Sequence, residues 1–413
     1  MSLTTQKEVV PSGNPVVAER EKQSSLDNRI LDEYGLIVCG WSGEWDTALR
    51  AAVERCPNRR YTTFWATRGE PATAAKKIIE LRKGELIGIE GADSFFQGLA
   101  EKVAALAEFD KPHPLSTKLA VAAAKKYLAD DASRIRLHDL VMGAVEKLYA
   151  EVFGSNYPIG APKPELSEIA RRMGCFEGLS ETAMELMAVG CYWGSKKQEQ
   201  LGIAALERLA NPLRHLGFSY EVWDDLRLYP ALLLLYVGGI AAIATAKYDL
   251  FASLLTKVTV RGLNEDRLAV FELETWQVMN EGIAKQLPGL ERHKTPLSDR
   301  LFALLREPLR DYLPDDVQYE RAFDRFEYLR ALVQADLNEK RGNATYGQVG
   351  RFSWKMERSS GVNTVREIQA EFEKAGESWP PLLAMLFDGS EARFATIKRE
   401  YDRYLQQSGI AWR

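Results

Sequence analysis

The chain has 413 residues, 46% of them hydrophobic, with 54 basic against 58 acidic side chains and a net charge of −4. That length allows two or three domains with proper cores, and the near-balanced charge excludes a global field for nucleic acid or anionic lipid, leaving room only for local basic patches. Cys39, Cys56, Cys175 and Cys191 form no C-x-x-C pair, which speaks against a disulfide framework or a zinc site and for a reducing cytoplasm.

Residues 1–25 carry Lys, Glu, Gln, Pro and Ser without an apolar core, so they read as a disordered or displaced lead-in and not as a signal peptide. A short helix over residues 27–34 then delivers the chain to Leu36-Ile37-Val38-Cys39, a continuous apolar run of the kind a buried parallel strand needs. Gly40-Trp41-Ser42-Gly43 follows as a tight turn into a helix at 46–56. Small residues there let backbone N–H groups approach ribose or phosphate oxygens. The same turn also fits an ordinary strand-to-helix connection, because a lone G-x-S-G is far weaker than a full G-x-G-x-x-G fingerprint. A second strand is expected at 61–66, a helix from Gly69-Glu70-Pro71 to about Arg82, and a third strand at 86–89. Asp93 should then cap a helix with Phe96, Leu99, Val103 and Leu106 at helical spacing. Three strands alternating with helices make one half of a doubly wound, Rossmann-like parallel sheet.

Pro112-His113-Pro114 marks a boundary, after which the period is helical nearly everywhere. Helices are expected at 115–128, 135–153, 165–173, 181–192 and 198–216, the last kinked at Asn211-Pro212. Later ones are expected at 297–309, 319–337, 365–375 and 391–405. The turn-rich connector at 154–164 is a candidate sub-boundary. Residues 228–246 are nearly long and apolar enough to span a membrane, but Pro230, Tyr236 and Gly238-Gly239 interrupt them. They read as a central core helix whose glycines admit a close neighbour. Gln348 to Lys355 alternates apolar and polar residues, the pattern of a β-ribbon.

Sites are sparse. The four histidines, His113, His138, His215 and His293, have no ligand spacing to carboxylates or cysteines, so no metal residue is assigned. Asp130-Asp131 and Asp224-Asp225 read as helix-capping pairs. No catalytic residue stands out.

LIVCGWSGEW at 36–45 and ELIGIEGADSFFQGL at 85–99 resemble the closing half of the bacterial sirtuin-like domain, with KPHPLS and IRLHDLV similar to its helical extension. The resemblance covers the chain from about Ser25 onward and implies NAD as cofactor. Its site would be Gly40, Trp41, Ser42 and Gly43, with Gly40 and Ser42 at the adenosine ribose and phosphates and Asp93 near the same pocket. The family's Gly-Ala-Gly turn and its His-Gly pair are absent. The implied protein is therefore the C-terminal part of an NAD-consuming, sirtuin-like protein, similar to bacterial anti-phage defence effectors and inactive by itself as NAD hydrolase or deacylase. Its fold class is α/β plus α: a displaced lead-in at 1–25, a partial three-strand α/β unit at 26–110, and an all-helical sensor or assembly domain at 111–413. Expected partners are a second copy or a separately encoded N-terminal half, with neither nucleic acid nor membrane. The alternative from another class is a non-enzymatic helical interaction scaffold whose α/β unit is structural.

Overall fold

The computed structural model describes residues 35–56, 61–109, 114–212, 217–261, 266–356 and 361–407. The expected lead-in at 1–25 and helix at 27–34 lie outside the described residues. The chain divides into two compact units, Met1–Glu108 and Phe109–Arg413.

The first unit is built on three parallel strands in sequence order, β1 (Leu36–Cys39), β2 (Thr63–Thr67) and β3 (Glu85–Gly88). Helix α1 (Thr47–Arg55) joins the first pair and α2 (Thr73–Arg82) the second, and α3 (Ala92–Phe109) follows β3. Register sets Val38 beside Trp65 and Trp65 beside Leu86, so these share one face. Crossovers of one hand between strands in sequential order put both connecting helices on the same face. The buried cluster agrees: Val38 and Trp65 pack with Val53 of α1 and with Ala75 and Ile78 of α2. The opposite face carries Ile37, which is 40% exposed. Sequence boundaries shift by a residue or two, with one consequence. Helix α3 begins at Ala92, so Asp93 is an exposed residue of its first turn and not its cap. Phe96 and Val103, expected on the packed face of α3, are exposed.

The second unit is helical: α4 (Pro114–Leu128), α5 (Arg134–Phe153), α6 (Leu166–Trp193), α7 (Glu199–Ala210), α8 (Glu221–Leu226), α9 (Tyr229–Ala244) and α10 (Tyr248–Thr256). A two-residue antiparallel pair, β4 (Thr259–Val260) with β5 (Arg267–Leu268), precedes the one-turn helices α11 (Ala269–Glu272), α12 (Thr275–Val278) and α13 (Glu281–Ala284). Then come α14 (Pro296–Leu305), α15 (Asp316–Lys340), α16 (Thr364–Ala375), α17 (Pro380–Leu383) and α18 (Glu391–Gln407). Helix α9 is the axis, with every residue from Tyr229 to Ile243 buried, and it packs on α6, α7, α10 and α15. Its two glycines are where neighbours come closest. A Cβ on Gly238 would sit 2.5 Å from the Met187 methyl, and one on Gly239 would sit 2.1 Å from the Phe326 ring. By length and composition the stretch Glu221–Ala244 could cross a membrane, yet 89% of its most apolar window is buried inside this unit.

Three sequence expectations fail here. Residues 165–173 and 181–192 belong to one continuous helix, α6, because Met173, Phe176, Ser180 and Ala183 form a single buried face across Gly174. Helix α7 ends at Ala210, with Asn211 as its C-cap, and does not kink. The Asn211 amide donates to Glu207 O and Thr259 O and accepts from Arg261 N–H at 2.8 Å, tying the helix end to β4. The expected β-ribbon at 348–355 is instead an irregular segment running into a 3₁₀ turn, Arg351–Lys355. Its polar residues do not point to water: Lys355 bonds Asp324 and Glu320, and Arg351 lies 3.5 Å from both. The connector at 154–165 is anchored in the core, since Arg172 donates to Pro158 O and Ala161 O, and Trp223 donates to Pro162 O.

Candidate functional site

The sequence-predicted residues gather at the carboxyl ends of the three strands. Apolar β1 stops at Gly40, whose φ of +77° favours glycine and over which a Cβ would meet nothing within 4 Å. Gly43 has φ +75° and is also crowded, a Cβ there falling 3.3 Å from Ile78 Cδ1. Gly43 is thus demanded by backbone and packing together, whereas Gly40 leaves open space above the strand. Ser42 Oγ accepts from Glu44 N–H at 3.3 Å, and Asp46 caps α1 by accepting from Leu49 N–H at 2.9 Å. Trp41 stacks on Trp65 with centroids 5.6 Å apart, its indole N–H buried without a partner. Its ring belongs to the core of this unit.

Asp93 does not join that turn. Strand order puts β2 between the ends of β1 and β3, a separation of roughly 10 Å at two ordinary strand spacings. A small group cannot touch both places; an extended one can bridge them. Two residues in this edge escape sequence reasoning. Trp45 is 90% exposed on the turn, a free aromatic ring where Trp41 is half-buried against Trp65. Arg68, the first residue after β2, reaches toward the start of α3, its guanidinium 3.9 Å from where a Cβ of Gly91 would lie. It is exposed, and no carboxylate among the described residues pairs with it. The available signal was its position directly after a parallel strand, where ligands of open α/β sheets bind. Nearby Glu70 is held below the usual carboxylate range by its hydrogen bond to Lys76. Among the described residues strand β1 pairs only with β2.

In the helical unit the charged groups are gathered inside. Arg330 is fully buried and donates to Gln348 Oε1, Val270 O and Leu273 O. Glu327 accepts from Tyr236, from Ser298 at 2.7 Å and from Arg351 N–H at 3.0 Å, and burial pushes it up to about 7. Glu274 accepts from Gln334 and Trp276, and burial pushes it up to about 7 as well. Neither acid has an ion-pair partner among the described residues.

Of the histidines, His138 is exposed beside Asp139, and His293 lies 3.1 Å from Asp299; His113 and His215 lie outside the described residues. No group of three or more metal-ligating side chains occurs among the described residues. Asp130 caps the turn Asp131–Ser133 by accepting from Ala132 N–H at 3.0 Å. Asp224 and Asp225 instead sit inside α8, where burial raises Asp225 to about 7.

These features define a helical protein with a small three-strand parallel α/β unit. No family model, curated protein or solved structure matches the chain.

Proposed function

We propose that the α/β unit is the adenosine-side half of an NAD site in a sirtuin-like, NAD-consuming protein, and that the helical unit serves it as sensor or assembly domain. The observation that carries this reading is the strand-end turn: left-handed Gly40 with open space above it, next to the edge of β1 that pairs with no other strand among the described residues. In a doubly wound sheet that edge is where the other half pairs and where the dinucleotide lies. Arg68 and the N-terminus of the 18-residue helix α3 would meet phosphate oxygens, and exposed Trp45 would stack on a base. A second copy or a separately encoded first half would complete the sheet. The resemblance further proposes a cytoplasmic bacterial setting in anti-phage defence, with hydrolase or deacylase activity absent from this chain alone.

Titrating the full chain with NAD and ADP-ribose by calorimetry tests the reading. Saturable binding that Ser42→Trp abolishes, and that Arg68→Glu weakens about tenfold by removing a charge-assisted contact, is expected. No heat at millimolar ligand would leave the scaffold reading, which the much larger core of the helical unit favours.

A further inference from the structure

Between α12, α13, α14 and residues 346–349 lies a cavity of about 160 Å³. Three aromatic residues, Trp276, Tyr346 and Tyr404, line it together with Met279. Tyr346 and Tyr404 meet edge to face with centroids 5.4 Å apart. The Trp276 N–H donates to Glu274 Oε2, and the Tyr346 hydroxyl lies 3.5 Å from the same oxygen. A carboxylate at the polar edges of two rings enriches their faces in electron density, which favours a cation over them.

The charge behind these rings is unbalanced. Glu274 is 3% exposed and Glu327 2%; Glu274 draws through space on the guanidinium of Arg330, which donates elsewhere, and Glu327 on that of Arg351. Arg351 and Lys355, the other buried cations here, face the acids Asp324 and Glu320. Four acids, Glu274, Glu327, Asp324 and Glu320, therefore share three cations, and Glu274, bonded to Trp276, is the one beside the cavity. At the mouth Glu281 pairs with Lys285 at 2.5 Å, and Lys294 is exposed and can swing into water.

The inner wall also selects the kind of cation. Its side-chain acceptors are occupied, Gln348 Oε1 by Thr275 N–H and Arg330 and Ser298 Oγ by Arg351 N–H, and behind it Glu274 Oε1 is taken by Gln334. A primary ammonium or guanidinium would enter with N–H donors left unbonded, at a cost of several hydrogen bonds. A quaternary ammonium has no N–H to satisfy and offers methyl groups to aromatic faces. The volume suits one such head group, since a cavity of ~150 Å³ holds a single benzene.

We infer that this aromatic cavity is a binding site for a quaternary ammonium head group, of the choline or trimethyl-lysine type. The occupant supplies the positive charge that the acids behind the cavity lack, Glu274 first among them, and its tail leaves past Lys294 to solvent.

The full chain is titrated with choline and, separately, with 3,3-dimethylbutan-1-ol, its uncharged carbon isostere, following Trp fluorescence and calorimetry. Choline is expected to bind saturably and at least about tenfold more tightly than the isostere. Trp276→Leu should weaken choline at least about tenfold while leaving the isostere nearly unchanged. Ala284→Phe, which fills the cavity from α13, should abolish both with an unchanged far-ultraviolet circular dichroism spectrum. Equal affinity for choline and isostere would reduce the site to an apolar hole and overturn the proposal. So would the absence of saturable choline binding up to about 100 mM, or choline affinity that survives Ala284→Phe in the folded protein.

Discussion

The two units solve the same problem, placing polar groups beside a packed core, in opposite ways. In the α/β unit the buried cluster among the described residues is five side chains, and the polar groups at the strand ends find partners within a few positions: Glu44 with Ser42, Leu49 with Asp46, Gly91 with Ser94. In the helical unit the partners are far apart in sequence. Glu327 meets Tyr236 across 91 residues, and Arg300 meets Glu177 across 123. A site made of local turn bonds depends on backbone conformation and is insulated from the rest of the fold. A site made of buried long-range bonds rises and falls with global stability, because every partner is delivered by a different helix.

The strongest way to break this contrast is Gly239→Leu. A side chain there must displace the fully buried Phe326 ring from α9, and overpacking of this kind should cost about 3 kcal/mol or more. The expected outcome is a large drop in the helical melting temperature, and with it loss of choline binding. A melt unchanged within error would show that α9 and α15 are not held together as described.

pH gives the next largest effect. Glu274 and Glu327 rise from 4.5 to about 7, and Asp324 from 3.8 to about 6, all chiefly through burial. An acid whose value rises on folding holds its proton more tightly in the folded chain, so its contribution is fully present below its unfolded value. It is lost as pH climbs through the folded value. Each glutamate should therefore take away roughly 3 kcal/mol between pH 4.5 and pH 8. Urea midpoints measured from pH 5 to pH 8 should fall, and Glu327→Gln should flatten the slope even where it lowers stability at pH 5 by setting an amide N–H against Arg351 N–H. An equal slope in wild type and variant would remove Glu327 from the account.

The smallest effect sharpens the other side. Gly40→Ala meets no neighbouring atom and costs only the left-handed backbone, about 1–2 kcal/mol. Hydrogen exchange at Ile37 to Cys39 should quicken while the helical melt stays in place. If the helical melt shifts too, the α/β turn is not insulated.

The parallel strands, the central helix and most helix spans were legible because they rest on local periodicity. An apolar run of four residues reads as a buried strand, and residues 228–246 could only be a core or membrane helix. The turn at Gly40 to Gly43 was legible for the same reason: positive φ is a property of the residue itself. Where each side chain goes differs in kind. Trp41 and Trp45 have the same side chain and sit four positions apart, yet one stacks on Trp65 and the other is 90% exposed. That choice was made by Trp65, more than twenty positions away.

What the sequence by itself determined is therefore the class of each segment, strand or helix, and where small residues permit sharp turns. Tertiary structure alone decided the rest. Alternating polar residues at 348–355 became a buried 3₁₀ turn because acids on α15 were there to receive Arg351 and Lys355. An aromatic cavity formed because Trp276, Tyr346 and Tyr404, spread over 276–404, were brought to one place. Hydrogen bonds and ion pairs are strong only when desolvated, and a one-dimensional pattern carries no record of which distant group will share the dry interior.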